Sequence, residues 1–78
     1  MAFPNPFKSF FNVKMELLNP ETVKIMIYDM SGRQIETRET DPSEISNHTF
    51  GQNYPNGIYN VMVSQSGKKI TAFQIIKK

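Results

Sequence analysis

Apolar residues in this chain recur with a period of two almost from end to end. Breaks bearing glycine, proline, asparagine or serine interrupt the pattern at roughly eight- to twelve-residue intervals. A period of two places alternate side chains on opposite faces of an extended backbone, so each segment can bury one face and leave the other in water. A helix cannot satisfy that pattern. The chain is therefore constrained to an all-β solution.

The segments follow from that period. In Phe10–Leu18, Phe11, Val13, Met15 and Leu17 share a face, and Asn19-Pro20-Glu21 ends the run. Thr22–Asp29 is the strongest strand. Val23, Ile25 and Ile27 line one face, and Met26 and Tyr28 make the other face large too, which suits a central position. Ser31-Gly32 marks a turn, with Gly32 as its positive-φ residue. Arg33–Thr40 is a polar strand whose only large apolar residue is Ile35, and it suits a solvent-facing edge. Asp41-Pro42-Ser43 reads as a loop; Ser43-x-x-Ser46 and Asp41 with Glu44 could suggest a short helical turn, but the segment is too short to hold a helix by itself. Ile45–Phe50 reads as a weak strand with His48 and Phe50 on one face. A turn-rich connection, Gly51 to Gly57, leads to Ile58–Ser64, with Tyr59, Val61 and Val63 on its inner face. Ser66-Gly67 makes a tight hairpin, and Lys69–Ile76 closes the chain with Thr71, Phe73 and Ile75 on one side.

These segments predict a small antiparallel immunoglobulin-like β-sandwich of six to seven strands, the seventh arising if Phe3–Phe7 pairs. A partly open barrel is the alternative. A chain of 78 residues makes one domain with a thin core. It contains no cysteine, which excludes disulfides, thiolate metal sites and a cysteine nucleophile. Its net charge of +2 is too mild and too evenly spread for a nucleic-acid surface. Lys68, Lys69, Lys77 and Lys78 form the one local excess and read as a charged edge. No run reaches the ~18 apolar residues of a membrane helix. Met1-Ala2-Phe3-Pro4 has neither the charged nor the apolar region of a signal peptide, so a chain built for export is expected here to be a fragment with its leader upstream.

Little in the sequence points to chemistry. His48 is the only histidine, and no set of ligands is spaced to converge with it on a metal. Ser46, His48 and Asp41 can be written as a triad, but no spacing singles them out. Gly32 and Gly57 belong to no phosphate-binding pattern. Asn47-His48-Thr49 matches a glycosylation sequon, a triplet that arises often by chance. Tyr28, Tyr54 and Tyr59 could stack on a ligand, although Tyr59 alternates with core valines. No enzyme, cofactor or metal is expected. The residues favour an interaction or targeting module.

Four stretches carry a more specific signal. Phe3-Pro4-Asn5-Pro6-Phe7 is similar to the "YPNP" opening of the type IX secretion system C-terminal sorting domains (the Por secretion system tail family, type A). Phe3 stands where tyrosine is common. Val23 to Arg33, with Tyr28-Asp29-Met30-Ser31-Gly32-Arg33 at its end, resembles that family's central strand and turn. Tyr54-Pro55-Asn56-Gly57-Ile58-Tyr59 looks like its glycine-x-tyrosine element. Gly67-Lys68-Lys69 and the closing Ile75-Ile76-Lys77-Lys78 resemble its basic hairpin and its hydrophobic-hydrophobic-lysine end. The likeness covers essentially the whole chain in order. Thr71-Ala72 stand where lysine or arginine is frequent.

The resemblance implies that residues 1–78 are a C-terminal signal on a larger, secreted Bacteroidetes-type protein. Its cargo would reach the periplasm, cross the outer membrane through the type IX translocon and finish at the surface or outside, with the signal removed by a sortase-like peptidase. No nucleic acid and no direct membrane insertion are implied. Pro4 and Pro6 would stiffen an extended stem leaving the cargo, and Gly57 would let Tyr59 enter the core. Weak self-association through a free strand edge is a further expectation. The competing function is a carbohydrate-binding or adhesive accessory module, which requires an exposed aromatic strip around Tyr54.

Overall fold

A computed structural model describes residues 2–15 and 20–78. Four long strands form one antiparallel sheet: β3 (Val23–Asp29), β4 (Gln34–Thr40), β5 (Gly57–Gln65) and β6 (Lys68–Lys77), in the spatial order β4-β3-β5-β6. Two short strands, β1 (Ala2–Phe3) and β2 (Asn12–Val13), pair antiparallel in a second sheet. A 3-10 helix spans Pro42–Asn47. The chain is thus mostly β, with two antiparallel sheets in a sandwich-like arrangement.

The large sheet follows the alternation in the sequence. Val23, Ile25 and Ile27 of β3, Tyr59, Val61 and Val63 of β5, and Ile75 of β6 are buried on one face. β3 lies between β4 and β5, so its central position agrees with its apolar character on both sides. Met26 and Tyr28, on its opposite face, are half-buried. The β5–β6 turn uses Ser66 (φ 52°) and Gly67 (φ 75°), the two consecutive positive-φ residues that suit the twist of a two-residue hairpin.

The second layer is less regular than expected. Among the described residues of Phe10–Leu18, strand pairing is limited to β2 and a bridge between Phe11 and Phe50. Phe11 and Val13 are nevertheless buried and Met15 half-buried, as their shared parity requires. Leu17 and Leu18 lie outside the described residues. The weak strand expected over Ile45–Phe50 is replaced by the 3-10 helix. Pro42 occupies the first turn, where its missing N–H costs nothing, and Ile45 anchors the helix in the core. Ile45 and Phe50 are both buried, but through a helical turn and a bridge rather than one continuous strand. The loop expected at Asp41-Pro42-Ser43 is the start of that helix.

Between the layers, Phe7, Phe11, Val13, Ile45 and Phe50 pack on the inner face of the large sheet. Each such side chain contributes roughly 1.5–3 kcal/mol by leaving water. Phe7 and Phe11 lie 4.9 Å apart, and Phe11 and Phe50 lie 5.5 Å apart, so three rings form a continuous aromatic row. Gly51 floors this row. A Cβ at Gly51 would sit 2.6 Å from Cε2 of Phe7 and 3.3 Å from Cδ1 of Phe11, and its φ is +92°.

β4 is an edge strand, but its polar residues do not all face water. Glu36, Arg38 and Thr40 are half-buried and sit opposite Ile27, Ile25 and Val23. They point over the core margin and are satisfied by the 48–54 loop. The one large apolar residue, Ile35, falls at a register shift and is half-buried.

The same alanine substitution should read out this packing differently at two glycines. Gly51→Ala adds a clash with two core rings to left-handed strain, and should cost about 3 kcal/mol or more. Gly67→Ala meets nothing within 4 Å and should cost only about 1 kcal/mol. Urea midpoints at unchanged m-value measure both.

Candidate recognition surface

The motif residues fall at two ends of the sheet. Strand register pairs Asp29 with Tyr59, Gly57 with Lys77, and Phe7 with Lys77. The Asp29 turn, the Gly57 segment, the opening residues and the chain end are therefore gathered at one end. The Gly67-Lys68-Lys69 hairpin, all exposed, lies at the other end of β5, about 26 Å away at the rise of an extended strand.

Pro4, Asn5 and Pro6 do not form an extended stem. The bonds Phe3–Pro4 and Asn5–Pro6 are both cis, and the segment bends back along the end of β6. The Asn5 side chain accepts the Ile76 N–H at 3.0 Å and donates to the Gln74 carbonyl at 3.2 Å. Phe7 then donates its N–H to Ile76 O at 2.8 Å and accepts from Lys78 N at 3.0 Å. The opening and closing motifs are thus one structural unit.

Lys77 corrects the reading of a uniformly charged edge. It follows Phe73 and Ile75 on the inner face of β6 and is 9% exposed. Its ammonium donates to the Gly51 carbonyl at 2.9 Å and stands 5.8 Å from the Phe7 ring centre. It ties the 51–52 loop to the last strand, and the loop carbonyl replaces water around the buried charge. Ile75 is buried. Ile76 and Lys78 face outward.

The Asp29 turn is held by its own carboxylate. Asp29 Oδ1 accepts from Ser31 N, Ser31 Oγ and Arg33 N at 3.0, 2.6 and 3.0 Å, while Oδ2 pairs with Arg33 Nε at 3.1 Å. Gly32, at φ 88°, closes the loop with its N–H on Asp29 O. The Ser31 hydroxyl, with the backbone N–H groups and the Arg33 charge, holds the Asp29 carboxyl below its ordinary pKa against a smaller opposing effect of burial. Tyr28, just before the turn, is half-buried with its hydroxyl 3.6 Å from the Met26 sulfur.

Tyr59 is buried, and its hydroxyl donates to the Pro55 carbonyl. Gly57, at φ 157°, begins β5 two residues earlier. Burial pushes the Tyr59 phenol up, with the Asp29 charge adding to it. Tyr54 is half-buried with its ring 4.9 Å from that of Tyr59 and its hydroxyl donating to Glu36. Burial, then the Glu36 contact, raises the Tyr54 phenol far above its usual range. Tyr54 and Tyr59 thus pack on each other, and both hydroxyls are bonded within the fold.

Sequence reasoning missed the group around Tyr54. Arg38 pairs with Glu36, donates to Thr49 O at 3.0 Å, and lies 4.3 Å over the Phe50 ring. Arg38 Nη1, which can only donate, stands 3.3 Å from His48 Nδ1, leaving Nε2–H to donate to Thr40 Oγ1 at 2.9 Å. His48 is therefore a packing residue of the core margin. Among the described residues, no three His, Asp or Glu side chains converge as metal ligands, and no helix is long and apolar enough to cross a membrane.

Exposed apolar groups also collect at the motif-rich end. Met30, at the tip of the Asp29 turn, is 61% exposed; Ile58 and Ile76, a cross-strand pair, are 39% and 37% exposed. Met30 and Ile58 line one shallow depression with Asp29, Asn56 and Tyr59.

The Asp29 turn generates a pH prediction. A carboxyl with a depressed folded-state pKa contributes stability above its unfolded pKa, and loses that contribution as pH falls through the folded value. Asp29→Ala should lower the urea midpoint near pH 7. The gap from the unaltered chain should narrow on titration to about pH 2.

Searches of curated proteins and of solved structures returned no match to this chain. A family model described as the secretion system C-terminal sorting domain matches residues 1–77. That match spans nearly every residue, including both ends of the clasp between Asn5, Phe7 and β6, and the chain belongs to this family, the C-terminal sorting domains of the type IX secretion system.

Proposed function

We propose that this domain is the address of a larger cargo protein, read by the type IX outer-membrane translocon and then removed by a sortase-like peptidase. The family match over residues 1–77 is the observation that carries the reading. On it, the cargo joins ahead of the domain, passes through the periplasm and ends at the cell surface or outside, while the domain acts without catalysis of its own.

The arrangement of the motif residues supports a division of labour. Asn5, Phe7, Tyr59, Ile75 and Lys77 spend their side chains inside the domain. Pro4, Pro6, Gly57 and Gly67 shape the chain between and beside them. The groups left for a partner at the motif-rich end are Met30, Ile58, Ile76, Arg33 and Lys78. Three apolar side chains rimmed by two cations make a small surface with an apolar centre and a charged border, the usual anatomy of a docking patch. Lys68 and Lys69 form a second, separate basic feature at the hairpin.

The carbohydrate-binding alternative loses its main support, because Tyr54 packs on Tyr59 and bonds to Glu36 instead of presenting a free ring.

Fusion of this domain behind a periplasmic reporter, in a host with a type IX system, should send the reporter out of the cell. Deletion of Phe73–Lys78 should retain it, since that removes the partner of the opening segment. The double variant Met30→Ser with Ile58→Thr should lower export several-fold at near-unchanged melting temperature. A reporter that stays in the periplasm, while an authentic sorting domain is exported in the same host, would overturn the proposal.

A further inference from the structure

The way residues 2–8 lie on β6 resembles a ligand seated on a receptor. Pro4 and Pro6 have no N–H to offer a neighbouring strand, yet β6 still finds a complete partner there. The Asn5 carboxamide supplies both missing groups. Its oxygen takes the Ile76 N–H and its nitrogen gives to the Gln74 carbonyl, as a peptide unit of an added strand would. Two residues on, Phe7 continues the pairing with true backbone bonds to Ile76 O and Lys78 N, in parallel register with Lys77.

The anchoring is concentrated in a few groups. Pro4, Asn5, Pro6, Lys8, Ser9 and Phe10 are all exposed, while Phe7 is fully buried. Its ring sits in a pocket floored by Gly51, walled by Phe11 and approached by the Lys77 ammonium. One buried ring, four hydrogen bonds and the short β1–β2 pair hold the segment. Opening the segment costs that buried ring, four hydrogen bonds and the β1–β2 pair, and leaves the pairing of the four-stranded sheet in place.

We propose that the end of β6, from Gln74 to Lys78, is a strand-acceptor site for an extended peptide, and that the chain's own residues 2–8 occupy it as an internal plug. The ligand it takes is a polypeptide segment running parallel to β6, with a carboxamide side chain two residues before an aromatic one. The carboxamide meets Ile76 N–H and Gln74 O, and the aromatic ring fills the pocket over Gly51. Affinity comes from the backbone ladder and specificity from the ring and the carboxamide, as in other strand-addition sites. Displacing the plug exposes a strand edge and an apolar pocket together, so the site is closed whenever the domain is intact. This inference stands apart from the sorting reading and has its own test.

The test uses the full chain carrying Phe7→Ala, and as probe a capped synthetic peptide with the sequence of residues 2–8. Amide exchange and chemical shifts at Ile76 and Lys78, with melting temperature, are the readouts. Phe7→Ala should speed exchange at both amides and bind the peptide saturably at equal stoichiometry. The melting temperature should then climb with peptide concentration. The unaltered chain, with its site filled, should bind at least about tenfold more weakly. A peptide carrying Asn5→Leu should lose most of its affinity. Should Phe7→Ala fail to fold, gain of β structure on adding peptide takes the place of the melting shift. A second variant, Asn5→Ala, leaves the core intact and should speed exchange at Ile76 but not at Val61. Open amides that millimolar peptide leaves unmoved, a disordered variant that peptide does not fold, or unchanged exchange at Ile76 in Asn5→Ala would each overturn the proposal.

Discussion

The packing of Phe7 over Gly51, beneath the Lys77 ammonium, is the contact on which the domain closes. A single four-stranded sheet with one apolar face cannot stay in water alone. Here the covering layer contains two strands of two residues each, a 3-10 turn and several bends. Among the described residues this layer holds little regular structure, and three phenylalanine rings running through it in contact cover the sheet. One backbone bridge, Phe7 to Lys77, ties that row to β6, and a second, Phe11 to Phe50, joins two of its members to each other. Gly51 admits the row because it has no side chain. Lys77 completes it by giving the Gly51 carbonyl, which also accepts the Tyr54 N–H at 3.2 Å, a second donor.

The large sheet was legible because its signal is local. Val23, Ile25 and Ile27, or Tyr59, Val61 and Val63, state their face by parity alone. The Gly32 and Gly67 turns state where the strands reverse. The covering layer was less legible because its partners are distant. Asn5 meets Ile76 across 71 positions, and no pattern near Asn5 announces that contact. Ile45 and Phe50 lie an odd number of positions apart, which one continuous strand would put on opposite faces, and the 3-10 turn begun at Pro42 lets both be buried. Lys77 carries a different lesson. Its parity with Phe73 and Ile75 placed it on the inner face, but its charge argued for solvent. Parity prevailed because the Gly51 and Gln52 carbonyls were available to receive the ammonium. The Glu36, Arg38 and His48 group had no readable signal, since polar residues on an edge strand ordinarily face water.

For the candidate site, the sequence located the motifs but not their division into internal and external roles. Asn5 and Lys77 looked like surface signals and are joints of the fold. Ile76 belonged to the closing motif, and Met30 and Ile58 lay inside two others; the fold brings the three to one end as exposed apolar side chains. The motif thus mixes side chains used inside the fold with side chains left exposed. The strand register that places Asp29 beside Tyr59, and Gly57 beside Lys77, is what separates them.

The bonds from Phe7 to Ile76 and Lys78 close a circle through almost the whole polypeptide. The β3–β4 and β5–β6 hairpins close short loops, but this one joins residues about seventy positions apart. A chain that terminates just before Ile76 keeps both hairpins and leaves its first eight residues with no seat. A copy clipped before Ile76 therefore differs in shape from one that retains it, and any factor that reads the joined segments also reads whether residues 76–78 are present.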